Sequence, residues 1–204
     1  MTDDDQLLRA WANGDETAGN ALIERHFDRL MRFFESTAPA HAEDLVQDTL
    51  RACLERLDRY RGESEFRAYL FGIARNKLLM HWRTRGRRGP EVDIAALSLE
   101  DLADSPSQQV AQTENERLLL GGLRRIPMDA QILLQLHYWE SLPGPALAKV
   151  LDVPEGTVRS RLRKAKTQLV EAMRELADSE ALWRETVDDL EAWAERVKKN
   201  RPRS

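Results

Sequence analysis

Apolar residues along this chain recur at intervals of three and four, the spacing that places them on one face of an α-helix. Strand-like alternation of apolar and polar residues is nearly absent, and no segment is repeated. The pattern therefore predicts an all-α protein. The predicted helices carry the sequences DDDQLLRAWANGD, ETAGNALIERHFDRLMRFFES, AEDLVQDTLRACLERL, residues 66 to about 84, ENERLLLGGLRRI, MDAQILLQLHYWES, GPALAKVL, VPEGTVRSRLRKAKTQL and SEALWRETVDDLEAWAERVKKN.

Turn residues separate these helices. Asn13 and Gly14 are expected to end the first helix, and Asp15 is a suitable N-cap for the second. Pro39 and the glycine-containing segment DRYRGESE separate the helices that follow. The residues of the second helix that we expect to face inward are Ala18, Leu22, Phe27, Leu30 and Phe33.

Changes in composition divide the chain into four parts. Residues 86–113 contain glycine, proline, serine, acidic residues and scattered aliphatics, and we interpret them as a flexible acidic linker with at most transient helix. The linker is expected to join two small helical domains, residues 1–85 (the first half) and residues 114–177 (the second half). Residues 178–204 are expected to form a C-terminal amphipathic extension.

The distribution of charge is strongly uneven, although the net charge is only -4. Residues 59–88 carry nine Lys and Arg against two Glu, and residues 154–174 carry six against two. Residues 91–116 carry seven acidic residues and no basic one. Two basic blocks on either side of an acidic spacer favour two contacts with a polyanion such as nucleic acid. A single run of charge is also typical of a solvated helix face.

Other features argue against a membrane protein or an enzyme. The chain has 204 residues, of which 42% are hydrophobic and 32% charged, and no apolar run approaches the roughly 20 residues of a membrane span. The acidic start differs from a basic signal peptide, so we expect a cytoplasmic protein. Cys53 is the single cysteine and cannot form an internal disulfide. The histidines lack ligand spacing, and no catalytic motif occurs, so we predict no metal, no cofactor and no catalytic residue.

The segment VPEGTVRSRLRKAKTQL has two distinct faces when it is drawn as a helix. Val158, Leu162, Ala165 and Leu169 form the apolar seam, and small residues bordered by cations form the opposite face. Small residues allow a helix to enter a DNA groove deeply, while flanking cations reach phosphates. The residues predicted to contact duplex DNA are Gly156, Thr157, Arg159, Ser160, Arg163, Lys164, Lys166 and Thr167.

The residues just before this helix fit a helix-turn-helix. Ala148 would lie where two helices cross, Asp152 would be a left-handed turn residue, and Val158 would anchor the second helix. Pro154 suits the first position of a helix. The alternative is an ordinary helical hairpin with a solvated basic face.

These residues resemble a known family. The segment LPGPALAKVLDVPEGTVRSRLRKAKTQL is similar to the C-terminal DNA-reading domain of bacterial sigma factors of the extracytoplasmic-function (ECF) group, which belong to the sigma-70 family. AEDLVQDTL and YRGESEFRAYLFGIARNKLLMHWRTRGRR resemble the N-terminal domain of the same group, and the resemblance covers about residues 5–175. Ala146 and Asp152 depart from it, because the group usually has an acidic residue and a glycine there, and Gly144 and Pro145 are unusual too.

The resemblance implies that AEDLVQDTLRACLERL docks on the clamp of the beta-prime subunit of RNA polymerase. Its inward stripe would be Leu45, Val46, Leu50, Cys53, Leu54 and Leu57. The residues left outside, which would bind polymerase, are Asp44, Gln47, Asp48 and Arg51. An exposed polar stripe is also compatible with simple solvation.

The resemblance also assigns the opened -10 element to the helix over residues 66–84 and the loop before it. It implies that Asn76 and Lys77 lie near bases and that a loop pocket takes one flipped base. The residues assigned to this element are Tyr60, Arg61, Gly62, Glu63, Arg75, Asn76, Lys77 and Arg83. The residue pattern of this helix by itself leaves two interpretations open. Aromatic side chains beside cations can stack on unpaired bases. A helix that is apolar on two sides, however, is generally packed between neighbours.

The implied function is that of a sigma factor, which binds core RNA polymerase and reads -10 and -35 promoter elements. Its expected partners are the beta-prime clamp and the beta flap of core RNA polymerase, promoter DNA and an anti-sigma factor. One alternative is a stand-alone helix-turn-helix regulator, and another is a protein whose basic faces bind acidic partners. The extension is predicted either to brace the second half or to cover a functional surface, with disorder as a third possibility.

Overall fold

The computed structural model describes residues 3–55, 60, 65–85, 92–102 and 113–188, and these parts are helical, with no strand among them. The all-α prediction is confirmed. No helix in the described ranges is long and apolar enough to cross a membrane. The helices are α1 (Asp3–Ala12), α2 (Glu16–Thr37), α3 (Ala42–Leu54), α4 (Phe66–Arg85), α5 (Leu99–Leu102), α6 (Glu114–Arg125), α7 (Met128–Tyr138), α8 (Gly144–Leu151), α9 (Glu155–Leu176) and α10 (Glu180–Asp188).

In the first half, α1 to α4 pack around large apolar side chains. The predicted break between α1 and α2 is confirmed, since Gly14 has a φ of 95° and the Asp15 carboxylate accepts hydrogen bonds from the N–H groups of Thr17 and Ala18. Phe27 was predicted to face inward, but it is 41% exposed. His26 takes the inward position instead, at 2% exposure, because the buried stripe of α2 runs through Leu22, His26 and Leu30 at four-residue intervals.

The described part of the linker packs against the helices. A short 3-10 turn over Ile94–Ala96 is followed by α5, and Ile94 and Leu99 are buried at 1% and 0% exposure. The N–H of Met128 donates to the carbonyl of Leu97 at 2.8 Å. The aliphatic side chains of this acidic segment thus hold residues 92–102 against the helices. The sequence had predicted at most transient helix in this segment.

In the second half, α6, α7, α8 and α9 form a compact group. The Thr113 hydroxyl caps α6 by accepting from the N–H of Glu116. Close approach of α6 and α9 requires a glycine, since a Cβ at Gly122 would lie 2.6 Å from Cγ of Met173. The next helix, α10, lies on α6 and α9, where the Trp183 indole N–H donates to the carbonyl of Val170 at 3.2 Å.

The two halves also pack against each other, which the sequence did not predict. α8 of the second half lies along α4 of the first half, and one apolar core runs from Phe71 through Ile94 to Leu147. Because α8 touches α4, α7 and α9, most of its side chains are buried. Ala146, where the related group usually has an acidic residue, is only 6% exposed.

Candidate nucleic-acid interface

The helix-turn-helix geometry predicted for residues 144–169 is present. Asp152 ends α8 with φ 54° and ψ 51°, the left-handed conformation that the spacing predicts. The N–H of Val153 then donates to the carbonyl of Ala148 at 3.0 Å, which closes the turn. Ala148 is 9% exposed and Val158 is 2% exposed, as expected for residues at a helix crossing. Pro154 is the N-cap of α9 rather than its first helical residue, so that expectation was wrong by one position.

The outer face of α9 is open. Six of the eight residues predicted to contact duplex DNA are exposed, and the other two, Thr157 and Lys166, are half-buried. The exposed six are Gly156, Arg159, Ser160, Arg163, Lys164 and Thr167. Two of the hydroxyls bond to the helix itself, since Ser160 donates to the carbonyl of Thr157 and Thr167 to that of Arg163. The face therefore combines a small central strip with long cationic side chains that are accessible to a ligand.

Gly156 lies in the first turn of α9 without a packing reason inside the protein. A Cβ built at this position would meet nothing within 4 Å. Glycine costs a helix about 1 kcal/mol relative to alanine. Packing against the described residues therefore does not account for this glycine.

The face of α4 that carries Arg75 is covered. Phe71 and Trp82, at 0% and 6% exposure, belong to the core, and the Trp82 indole N–H donates to the carbonyl of Thr37 at 3.3 Å. The structure thus shows the helix packed between neighbours, and these rings offer no exposed stacking platform in this conformation. Asn76 and Arg83 are exposed, and Lys77 is half-buried.

Arg75 itself is held by an acidic residue of the second half. Its Nε and Nη2 donate to Oδ1 of Asp129 at 3.0 and 2.7 Å, and only 13% of its side chain is exposed. The same carboxylate lies 3.8 Å from Nη1 of Arg161, a cation of α9. Asp129 was not found from the sequence, because no local signal links it to Arg75, which lies 54 positions away, or to Arg161 of α9.

Of the loop assigned to the -10 element, only Tyr60 lies in the described part of the chain, and Arg61, Gly62 and Glu63 lie outside it. The Tyr60 ring contacts the rings of Phe66 and Tyr69, with centroids 5.9 and 5.1 Å away. Burial raises the pKa of the Tyr60 hydroxyl to about 12, with further contributions from nearby carboxylates, so it is a neutral group at physiological pH.

The outer stripe of α3 is accessible. Its residues Asp44, Gln47, Asp48 and Arg51 are all exposed. On the inward side Leu45, Val46 and Cys53 are buried and Leu50 is half-buried, as predicted. Leu54 was predicted inward but is 43% exposed, because it is the last residue of α3 and lies beyond the packed part of the helix. Leu57 lies outside the described residues.

No cluster of three side chains suitable for a metal ion occurs in the ranges that the structure describes. The one pair of neighbouring imidazoles is formed by His41 and His81, whose ring centroids lie 4.8 Å apart, and His41 Nε2 also contacts the Arg85 guanidinium. Burial lowers the pKa of His81, and the nearby His41 and Arg85 lower it further. The two imidazoles lie where α3 begins and α4 ends.

Comparison with known proteins identifies both halves. The family model for Sigma-70 region 2 matches residues 22–88, and the model for Sigma-70, region 4 matches residues 117–169. The chain is 27% identical over 175 residues to the ECF RNA polymerase sigma-E factor of Haemophilus influenzae, covering 81% of this chain and 93% of that one. It is 28% identical over 186 residues to the RNA polymerase sigma-H factor of Pseudomonas aeruginosa, covering 85% and 95% of the two chains.

A solved structure agrees with these relatives. The sigma factor RpoE in complex with the anti-sigma factor NepR from Bartonella quintana matches with a TM-score of 0.58 and 25% identity, over 81% of this chain and 99% of that chain. The two matched regions together span more than half of the chain, one in each half, and they confirm the resemblance. The chain therefore belongs to the sigma-70 family of RNA polymerase sigma factors, in its extracytoplasmic-function group.

Proposed function

We propose that this chain is a dissociable promoter-specificity subunit that binds core RNA polymerase and directs it to promoters. The observation that carries the proposal is the open basic face of α9, which follows a helix-turn-helix crossing with a left-handed residue at Asp152. A recognition helix of this kind enters the major groove with its N-terminal part. No chemical step is assigned to the chain.

The -35 element is proposed to be read by α9. Gly156 and Ser160 are exposed and small, so they let the helix approach the floor of the groove. Arg163 is proposed to read a base edge, since the arginine fork matches the two acceptors of guanine. Lys164 is proposed to contact phosphate. The remaining contacts are proposed for Thr157, Arg159, Lys166 and Thr167 along the same face.

The -10 element is proposed to be captured by α4 and the loop before it. Asn76 and Arg83 are exposed, which supports their assignment to single-stranded DNA, together with Lys77. Tyr60, Arg61, Gly62 and Glu63 are proposed to form the pocket for a flipped base. Arg75 also belongs to this set, but Asp129 occupies its guanidinium in the present conformation.

Core polymerase is proposed to dock on the outer stripe of α3, formed by Asp44, Gln47, Asp48 and Arg51. Their exposure supports the assignment. The beta-prime clamp is the proposed partner of this stripe, and the beta flap is proposed to bind the second half. The relative of known structure was solved with an anti-sigma factor, which supports a partner of that class for this chain.

The test is run-off transcription with purified core RNA polymerase on genomic promoter fragments, with and without this protein. Protein-dependent transcripts are expected, and Asp48→Arg should abolish both these transcripts and co-purification with core enzyme, because it reverses a charge in the docking stripe. Glu24→Arg, at an exposed position of α2, is the matched control and should keep both. Duplex DNA binding without any protein-dependent transcript would instead indicate a stand-alone helix-turn-helix regulator.

A further inference from the structure

The carboxylate of Asp129, in the first turn of α7, joins the two helices that we assign to DNA. Its Oδ1 accepts two hydrogen bonds from Arg75 of α4, and its Oδ2 lies 3.8 Å from Arg161 of α9. The Arg75 side chain is 13% exposed and that of Arg161 is 44% exposed. The bond to Arg75 is therefore shielded from salt, whereas the contact with Arg161 lies at the rim.

A second set of charged pairs crosses the same contact between the halves. Glu140, just after α7, is 5% exposed, and its Oε2 accepts from Nη1 of Arg29 in α2 at 2.9 Å. Nη2 of Arg32 lies 3.8 Å from Oε1 of the same carboxylate. Removal of one partner from a buried pair leaves an uncompensated charge, so these pairs specify how the halves meet.

The polar centre of the contact is only partly satisfied. The Ser36 hydroxyl lies 3.0 Å from Oε1 of Gln135, and Nε2 of Gln131 donates to the carbonyl of Ser36 at 3.0 Å. Among the described residues, Oε1 of Gln131 and Nε2 of Gln135 are buried and have no hydrogen-bond partner. A buried polar atom without a partner costs free energy that water would return if the halves separated.

The connection between the halves is long enough for such a separation. The carbonyl of Leu97 accepts from Met128 and Ser98 pairs with Pro127, so this end of the linker is attached to the second half. Residues 86–97 connect it to the end of α4, and they would reach about 40 Å if fully extended, which requires the 3-10 turn over Ile94–Ala96 to leave α4 and unwind. A helix with its side chains is about 10 Å across, so this reach allows α8 to leave α4 completely.

We propose that Asp129 is an electrostatic latch, which holds the halves closed through Arg75 and Arg161 until nucleic-acid phosphates replace its carboxylate on these arginines and the halves separate. Arginine binds phosphate through the same fork of donors that it presents to a carboxylate, so the exchange conserves its hydrogen bonds. In the closed form Arg75 is not available to the -10 strand. The choice of nucleic acid as the ligand rests on the proposed function. The latch itself rests only on the contacts of Asp129.

The test measures the distance between the halves by pulsed electron resonance between two spin labels. The labels are attached at Asp28→Cys in α2 and Glu171→Cys in α9, both of which are exposed positions. Cys53 does not compete for the label, because it is buried and burial raises the pKa of its thiol to about 12. Asp129→Asn is compared with Asp178→Asn, an exposed position that loses the same charge. The nucleic-acid probe is random-sequence single-stranded DNA of about 20 nucleotides.

The wild-type protein should give one short distance, and Asp129→Asn should add a longer one, raising the ratio of open to closed molecules roughly two- to tenfold. The DNA probe should bring the wild type to the same longer distance. Glu140→Gln should shift the distances in the same direction as Asp129→Asn, and Asp178→Asn should match the wild type. Circular dichroism establishes that each variant keeps its helical content.

The latch is overturned if Asp129→Asn keeps the wild-type distance, or if Asp178→Asn opens the protein equally. The exchange step is overturned if DNA binds the wild type without lengthening the distance. A protein that binds no DNA in any variant would also overturn the exchange step, while the distances of the variants without DNA would still decide the latch and run-off transcription would decide the proposed function.

Discussion

Gly156 is the residue at which the requirements of the fold and of the proposed ligand diverge. Its missing side chain leaves open space in the protein, so Gly156→Ala should raise the free energy of unfolding by up to about 1 kcal/mol. The added methyl group should nevertheless weaken duplex binding, because it lies on the face proposed to enter the groove. A clash of about 1.4 kcal/mol would reduce the affinity about tenfold. Thermal melting and binding to a promoter duplex measure the two effects.

Gly122→Ala is the matched control for this substitution and should behave in the opposite way. Its Cβ would lie 2.6 Å from Cγ of Met173, so the variant should be less stable by about 1–3 kcal/mol. Its duplex affinity per folded molecule should remain that of the wild type, since Gly122 faces the interior. Equal loss of affinity in the two variants would contradict the assignment of the α9 face.

Two neighbouring cations of α9 are predicted to act differently on DNA. Arg163→Ala should reduce discrimination between -35 sequences, whereas Lys164→Ala should weaken binding to all sequences similarly. Each lost phosphate contact should flatten the slope of log affinity against log salt by about 0.9. Fluorescence titrations on matched and scrambled duplexes at several salt concentrations measure both effects. Equal, sequence-independent losses in the two variants would contradict the proposed roles.

Among the helices, α1 and α2 are joined by a contact between a buried histidine and a carboxylate. Nε2 of His26 lies 2.9 Å from Oδ2 of Asp4. Burial lowers the pKa of His26 below its ordinary value of 6.5, and the charges of Arg29 and Arg67 lower it further, while Asp4 partly opposes the shift. The unfolded chain thus binds a proton at a higher pH than the folded protein does.

The contribution of neutral His26 to the free energy of unfolding should therefore be present above pH 6.5. It should be lost as the pH falls through the pKa that His26 has in the folded protein. His26→Gln should show a smaller loss of stability between neutral and mildly acidic pH than the wild type. Urea unfolding at several pH values measures the difference between the two proteins. Parallel pH profiles would contradict the prediction.

The helix α10 is predicted to brace the second half. Trp183 donates to the carbonyl of Val170, and the guanidinium of Arg174 lies 4.9 Å from its ring centroid. Trp183→Ala should lower stability by about 1–3 kcal/mol, and Trp183→Phe by less, because it loses the hydrogen bond, about 1 kcal/mol, and part of the ring contact but keeps an aromatic ring near Arg174.

Deleting residues 179–204 separates a brace from a cover over a functional surface. A brace predicts a lower melting temperature with little change in transcription per folded molecule. Unchanged stability with higher transcription would contradict it.

Local signals predicted most of the elements. Asp15 as a cap, Asp152 as a left-handed residue and the buried seam of α9 are confirmed, because each depends on residues within one or two helical turns. Phe27 was wrongly placed inward because the buried stripe of α2 passes through His26 instead. Leu54 was wrongly placed because it is the last residue of α3 and lies beyond the packed part of that helix.

The contact between the two halves of the molecule could not be predicted from the sequence. Asp129 stands 54 residues from Arg75, and Glu140 stands 111 residues from Arg29. No periodicity specifies such pairs, because they depend on which faces of α4 and α8 meet. The same contact explains why Arg75 is occupied while the α9 face and the α3 stripe remain exposed. The exposure of the α9 face and of the α3 stripe could thus be predicted from the sequence, whereas the ion pair between Arg75 and Asp129 could not.

Run-off transcription with core RNA polymerase shows whether this chain directs promoter-specific initiation. Wild-type protein added to core enzyme should produce transcripts from specific genomic promoters, and Arg163→Ala should reduce them from promoters whose -35 sequence it reads. Core enzyme alone should produce none of these transcripts. If no promoter gives a transcript that depends on this protein, while the protein is folded and core enzyme is active with another sigma factor, the chain is not a promoter-specificity subunit.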